Sequence, residues 1–217
     1  MSRSGGDVRR RHLLALAGAG AAIAVAVPAV AAPTILQVGE PVQNFCDALV
    51  SVMRAGSSGM PFPQRYNMLA PAIDAMFDVE ALLPAVVGPR WSSLPPGEQQ
   101  RLRPAFMAFL IASWVANFNE FSGQRFDLSP NMKPVGSDEV VQVTIEKMSG
   151  DSKKLDFVMR QAPGGWKAVD VLLDGTISQV ATQRSDFRSG INGEDASALI
   201  ASLRQKVTDL SGGTMHT

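Results

Sequence analysis

The chain has 217 residues, of which 46% are hydrophobic and 18% charged, and this composition fits one globular domain plus a short appendage. Its formal net charge is zero, but residues 1–31 hold four arginines and one aspartate, so residues 32–217 carry an excess of three negative charges. A slightly acidic body gives no electrostatic reason to bind nucleic acid or an anionic membrane surface.

The first 31 residues have the pattern of a secretory signal peptide. Three arginines at positions 9–11 precede an apolar stretch that is too short and too weakly hydrophobic to form a stable membrane-spanning helix. The stretch ends in an A-x-A pattern at 29–31, so the sequence predicts export and cleavage after Ala31. Arg10 and Arg11, followed closely by two leucines, also fit the twin-arginine export pattern. The general secretory route and an uncleaved anchor are the alternatives.

Apolar spacing predicts helices through the first half of the body. Intervals of three and four residues from Val38 to Val52 are typical of an amphipathic helix, which the glycine and serine cluster at 56–59 ends. A second helix is predicted from about Pro63 to Phe77, disturbed at the proline inside it.

Two more helices follow before residue 123. The first has Asp78 as its cap and ends before Gly88-Pro89. The second is the longest and most aromatic, and Ser93 is its expected cap. Pro104 is expected to bend this helix or to mark its true start.

From residue 125 the pattern changes to strands separated by turn residues. Val141, Val143 and Ile145 alternate with polar residues, which predicts a sheet with one apolar and one polar face. The four predicted strands are Arg125–Val135, Glu139–Met148, Lys153–Gln161 and Trp166–Leu173.

Two helices, Ile177–Ile191 and Ala196–Val207, are predicted to close a single domain that spans residues 32–210. Residues 211–217 are predicted to be a disordered tail. The order of helices, then strands, then helices favours an α+β fold. We expect a helical layer packed on one face of a curved four-stranded antiparallel meander, with an apolar cavity between the two layers.

The body has few of the groups that carry catalysis. The two histidines, His12 and His216, lie near the ends of the chain, and the single cysteine, Cys46, is predicted to be a small buried hydrophobe. This excludes His-based catalytic triads and the common zinc sites, and no glycine-rich phosphate loop occurs. The sequence therefore predicts a protein that is not an enzyme and has no metal and no cofactor.

Three carboxylates near the end of the last predicted strand need an interpretation. Asp170 and Asp174 lie four residues apart, and Asp186 follows. Turn capping and ion pairing with Arg184 or Arg188 is the favoured interpretation, and a catalytic carboxylate dyad is the alternative.

Several segments, in order, resemble a known family. They are Phe77-Asp78-Val79-Glu80 followed by Gly88-Pro89-Arg90-Trp91, Glu98–Arg101 leading into Phe106, Trp166-Lys167-Ala168-Val169-Asp170-Val171 with Gly175, and Arg184-Ser185-Asp186-Phe187. Over roughly Pro41 to Val207, the chain is similar to the MlaC family of periplasmic lipid carriers, also called the toluene-tolerance family.

The resemblance implies a periplasmic α+β carrier whose pocket takes lipid tails while the polar head stays at the mouth. It implies movement of phospholipid between an outer-membrane lipid-handling complex and an inner-membrane ABC transporter with MCE-domain subunits. Two departures, Gln183 in place of the usual tyrosine and the run from Leu173 to Ile177, look like the hopanoid-associated HpnM branch. A hopanoid therefore stays open as the cargo beside a phospholipid.

The candidate lipid-binding residues are the large apolar residues of the predicted helices and of the apolar sheet face. They are Phe77, Leu82, Val86, Phe106, Phe109, Leu110, Trp114, Phe118, Val143, Ile145, Leu155, Phe157, Val169 and Val171. Asp170 and Arg184 are candidates for the rim or for partner docking, and they are expected to pair. A filled core would use the same apolar residues. A scaffold or docking protein with a filled core therefore stays open, as does an enzyme with a carboxylate site in the cavity.

Overall fold

The computed structural model describes residues 32–216, so the predicted signal peptide at residues 1–31 lies outside the described part. The described residues form six α-helices, two short 3-10 helices and five strands. The α-helices are α1 (Ile35–Ser57), α2 (Phe62–Met76), α3 (Val79–Val87), α4 (Pro96–Asn117), α5 (Gln179–Phe187) and α6 (Ser197–Leu210). The 3-10 helices are Gly88–Ser93 and Arg188–Gly190. The strands are β1 (Arg125–Val135), β2 (Asp138–Glu146), β3 (Ser152–Ala162), β4 (Gly165–Leu173) and β5 (Ile177–Ser178).

Helix α1 begins before its apolar stripe because a capping box starts it. The Gln37 N–H donates to the Thr34 hydroxyl, and the Gln37 side-chain oxygen accepts from the Thr34 N–H. The predicted stripe is buried against the sheet, and α1 contacts β1, β2 and β4. The capping residues therefore set where the helix begins, and the apolar stripe sets which side of the helix faces the sheet.

The starts of α3 and α4 differ in how they are capped. Asp78 caps α3 as expected, because its carboxylate accepts from the Ala81 N–H at 3.1 Å. The prediction that Ser93 caps α4 is wrong: Ser93 ends a 3-10 helix, and α4 begins at Pro96 with no side-chain cap. Proline lacks the N–H that a cap would satisfy, so it starts a helix without one. The helix then continues through Pro104, which does not mark its start.

The sheet is antiparallel throughout, and each strand pairs with the next in the order β1 to β5. The expected number of four strands is corrected to five, because the chain turns at Asp174 and Gly175 and pairs β5 with the end of β4. Both turn residues have positive φ, 49° and 74°, which glycine adopts freely. A strand of two residues is too short to show an alternating pattern.

The apolar side of the sheet, here called the inner face, faces the helices. On β2 and β3 it consists of Val141, Val143, Ile145, Leu155, Phe157 and Met159, all at most 8% exposed. Opposite residues pair within this set, with Val141 beside Phe157 and Val143 beside Leu155. The core therefore lies between this face and the helices.

The end of the chain differs from the sequence prediction of a disordered tail. The Met215 N–H donates to the Ser211 hydroxyl at 3.0 Å, and Ser211 is buried. The Met215 side chain packs against a small cluster of Ala108, Ala112 and Val207. A lone methionine adds no periodic signal to a sequence, which is why composition alone predicts disorder here.

Candidate functional site

A cavity of about 660 Å³ lies between one end of the inner face and helices α4 and α5. Its apolar lining consists of Met53, Phe77, Leu82, Phe106, Leu110, Trp114, Phe118, Ile145, Leu155, Val171, Leu173 and Val180. Sites that bind small molecules typically have volumes of about 300–1,000 Å³ and mostly apolar linings. The cavity therefore has the size and chemistry of a binding site for an apolar group.

Helix α4 forms the aromatic wall of the cavity. Phe106, Leu110 and Trp114 are spaced four residues apart, which places them along one side of the helix, and Phe118 follows at the same interval just after the helix ends. The Trp114 ring stacks on Phe118 at 5.3 Å between centroids, and Phe45 meets it edge-on at 4.8 Å. These ring contacts hold Trp114 in place in the wall.

Polar lining residues gather where secondary-structure elements end. They come from the end of α4 and the loop after it, from the β2–β3 turn, and from α5. We call this group the mouth; it consists of Asn117, Asn119, Glu120, Gln124, Lys147, Lys153, Gln179 and Gln183. The cavity thus combines an apolar interior with a polar mouth.

A sequence model of the MlaC protein family matches residues 43–205, which is more than half of the chain. The chain belongs to the MlaC family. Among solved structures, this MlaC-family chain is similar to a phospholipid-binding protein from Ralstonia solanacearum, in complex with a phospholipid, with a TM-score of 0.68. The two are 19% identical, and the match covers 81% of this chain and 99% of that one, so they share a fold. No curated protein sequence matches the chain.

Nine of the fourteen candidate lipid-binding residues of this MlaC-family chain line the cavity. They are Phe77, Leu82, Phe106, Leu110, Trp114, Phe118, Ile145, Leu155 and Val171. They come from the end of α2, from α3 and α4, and from strands β2, β3 and β4. The fold therefore brings together residues that are up to 94 positions apart in the sequence.

The other five candidates are buried or half-buried away from the cavity lining. Phe157 and Val143 lie on the inner face but within the packed core. Phe109 is on another side of α4, with its ring 6.0 Å from that of Phe187. Val86 is fully buried in α3, and Val169 lies where a bulge shifts the register of β4. All five are apolar, so composition could not separate them from the lining residues.

Twelve lining residues were not among the candidates, and most of them are polar. Met53, Leu173, Val180 and Ser113 complete the walls, while the eight mouth residues surround the polar side. The strand pattern could have found two of them. Lys153 is on an inward-facing position of β3, and Lys147 follows β2 two positions after the inward-facing Ile145.

Asp170 and Arg184 do not form the expected ion pair. Asp170 lines the cavity, and its carboxylate accepts hydrogen bonds from the Ser178 hydroxyl at 2.5 Å and from the Val171 and Val180 N–H groups. Arg184 lies outside the cavity lining, and its Nε donates to the carbonyl of Ala85 at 2.7 Å. Each side chain therefore ties α5 to a neighbouring element, β4 for Asp170 and α3 for Arg184.

Neither Asp174 nor Asp186 forms an ion pair with Arg184 or Arg188 among the five ion pairs of residues 32–216. Asp174 accepts from the Lys154 N–H at 3.2 Å, which fits turn capping. Burial raises the pKa of the Cys46 thiol to about 12, so it is held as a neutral thiol at neutral pH. Residues 32–216 contain no group of three or more His, Cys, Asp or Glu that could hold a metal ion. Among the same residues, no helix is both long and apolar enough to cross a membrane.

Proposed function

We propose that this MlaC-family chain is a lipid carrier that binds a membrane lipid in the cavity and shuttles it between the inner and outer membranes. The observation that carries the proposal is a cavity of about 660 Å³ with an apolar interior and a polar mouth. A molecule with an apolar tail and a polar head fits this distribution, because the tail leaves water while the head keeps its hydration.

The volume of the cavity suits a long apolar tail. A methylene group is about as large as a water molecule, so an acyl chain of about 16 carbons needs roughly 500 Å³. The cavity has room for one such chain. A second chain requires the cavity to widen, or part of the lipid to extend through the mouth.

The free energy gained by burying the lipid tail implies a carrier that needs partners to release its cargo. Burying about 15 methylenes at ~0.8 kcal/mol each supplies roughly 12 kcal/mol before losses. Cargo held this strongly does not leave at a useful rate, so partners must drive its release. In this proposal the partners are an inner-membrane ABC transporter with MCE-domain subunits and an outer-membrane lipid-handling complex.

The proposed place of action is the periplasm, which the signal-peptide pattern of residues 1–31 supports. For the cargo, the similar Ralstonia solanacearum protein supports a phospholipid because its structure holds one. A hopanoid is the second candidate cargo, supported by the residue pattern at 173–177 and at Gln183.

The experiment is native mass spectrometry of the full chain purified gently from cells, followed by extraction and identification of the bound lipid. We expect a lipid adduct on the wild-type chain. Leu110→Trp should lower its abundance, because the larger ring takes up part of the cavity. Ala201→Trp adds the same ring on the exposed side of α6 and should leave the adduct unchanged.

Repeated observation of a lipid-free mass for the wild-type chain would contradict a carrier and favour a scaffold that acts by docking. An adduct of equal abundance on the Leu110→Trp variant would show that the lipid binds elsewhere on the chain. We expect no turnover of the lipid, so the extracted cargo should be an intact membrane lipid.

A further inference from the structure

The inner face carries two lysines at the point where its apolar pattern ends. Side chains alternate between the two faces of a strand, so Lys147 continues the side of Ile145, and Lys153 continues the side of Leu155. The register agrees, because Ile145 lies opposite Lys153, and the Lys147 N–H donates to the Asp151 carbonyl at 2.9 Å. Both lysines line the cavity at its mouth.

The backbones of these two lysines are close to each other. Lys147, the residue after β2, extends the β2–β3 ladder and is the diagonal neighbour of Lys153, a relation that places backbones about 7–8 Å apart. Neither lysine takes part in the five ion pairs formed within residues 32–216. Two neighbouring cations repel each other, and an anion between them would remove that cost.

The carboxylates nearby do not fill this role. Asp170 already accepts three hydrogen bonds from β4, β5 and α5. Glu120 is the one acidic member of the mouth, and it is exposed on the loop that follows α4. The mouth therefore has two cations and one anion, and its other five members are neutral amides; Asp170 is a second carboxylate of the cavity lining, held by its own hydrogen bonds.

We propose that Lys147 and Lys153 form an anion subsite that holds the phosphate of the cargo's head group and selects lipids by head-group charge. This inference rests on the proposed function, because the subsite acts only when a tail occupies the cavity. The carrier then prefers an anionic phospholipid to a zwitterionic one, whose second, positive group the lysines repel. An uncharged hopanoid is the least preferred cargo.

The test uses the full chain and mixed vesicles that contain equal amounts of phosphatidylglycerol and phosphatidylcholine. The chain is separated from the vesicles by gel filtration, and the bound lipids are counted by mass spectrometry. Because both lipids share one vesicle surface, differences in docking cancel in the ratio of bound lipids. A second set of vesicles replaces phosphatidylcholine with an uncharged hopanoid.

We expect the wild-type chain to favour phosphatidylglycerol by about tenfold, the effect of two partly exposed charge-assisted contacts. The double variant Lys147→Gln and Lys153→Gln should bring the ratio near one, because it loses the contacts that favour phosphatidylglycerol. The control, Lys133→Gln with Lys206→Gln, makes the same change in net charge on β1 and α6 and should keep the wild-type ratio.

Two results would overturn the subsite: a ratio unchanged in the Lys147 and Lys153 variant, or an equal fall in the control. In both cases the chain still binds lipid, so the carrier proposal survives. If the wild-type chain binds no lipid from either set of vesicles, both proposals fail.

A measurement on the unaltered chain covers the case in which the double variant does not fold. Raising the ionic strength from about 0.05 M to about 0.5 M should lower the wild-type ratio severalfold, since exposed charges are screened. A ratio that does not respond to salt would contradict the subsite. The single variant Glu120→Gln should raise the ratio about twofold, because it removes the opposing charge.

Discussion

The inner face of the sheet ends in two different ways. At the closed end, Val141, Phe157 and Met159 are fully buried, and the ring of Phe45 from α1 lies 6.1 Å from that of Phe157. At the open end, the same alternating pattern borders the cavity and finishes at the two lysines of the mouth. One strand pattern therefore produces a solid core at one end and a space at the other.

The helices opposite each end account for this difference. Helix α1 packs the Phe45 ring against Phe157 at the closed end. Over the open end, α5 buries only Phe187 and contributes Gln179, Val180 and Gln183 to the lining. These three side chains leave the space between α5 and the sheet unfilled. The cavity therefore results from the side chains of the helix opposite the strands, and not from the strand pattern itself.

The largest expected effect on stability comes from truncating one aromatic ring at each end of the inner face and comparing the two losses. Phe45→Ala should lower the free energy of unfolding by about 3–5 kcal/mol, because it leaves a hole among the three aromatic rings that pack against Phe45. Phe118→Ala, at the open end, should cost only about 1 kcal/mol, because that half-buried ring already borders free space. Urea unfolding of both variants measures the difference. Equal losses would mean that the two ends are packed alike.

The next effect compares two sides of α4. Ala112 is fully buried where α4 meets α6, and Ala112→Leu should destabilise the chain by about 1–3 kcal/mol through overpacking. Leu110→Trp adds volume on the cavity side, where space exists, and should cost less than about 1.5 kcal/mol. Thermal unfolding of the two variants checks this order. A larger loss for Leu110→Trp would show that the cavity side does not accept added volume.

A smaller effect concerns the support of α5 at the open end. Asp170→Asn should lower the free energy of unfolding by about 1–2 kcal/mol, because the charged acceptor of three hydrogen bonds is lost. Hydrogen exchange should show the loss of protection first in α5. Asp186→Asn, on the exposed side of the same helix, is the matched control and should change little. Similar losses of stability for the two variants would mean that Asp170 does not stabilise α5.

Much of the fold follows from local patterns, which is why the long elements could be predicted. The stripe from Val38 to Val52 and the alternation in β2 each extend over many residues, so a few exceptions do not hide the period. Elements set by one or two residues, such as β5 and the proline start of α4, give no period to detect. A local conformational preference decides each of them.

The site was harder to predict than the fold, because a lining residue and a core residue have the same chemistry. Phe106 and Phe109 lie on one helix three positions apart, yet only Phe106 lines the cavity. Whether a ring lines the cavity depends on which side chains lie opposite it in the fold. The spacing of apolar residues along the sequence does not show this. Lys147 and Lys153 are different, since a charged residue at an inward-facing strand position stands out from the sequence alone.

The smallest effect is a pH dependence at the closed end, where charges are paired. On the outer face, Arg160 donates to both carboxylate oxygens of Asp138, at 2.8 and 2.6 Å, and these hydrogen bonds lower the pKa of Asp138. A lowered pKa in the folded state means that the pair stabilises above the ordinary aspartate pKa, and that this contribution disappears as pH falls through the lowered value. Because Arg160 is half exposed, the contribution should stay below about 1 kcal/mol.

The stability difference between wild type and Asp138→Asn, measured by urea unfolding, should therefore shrink from pH 7 to about pH 2. Arg160→Gln should show the same trend, and a difference that stays constant over this range would mean that the pair contributes nothing.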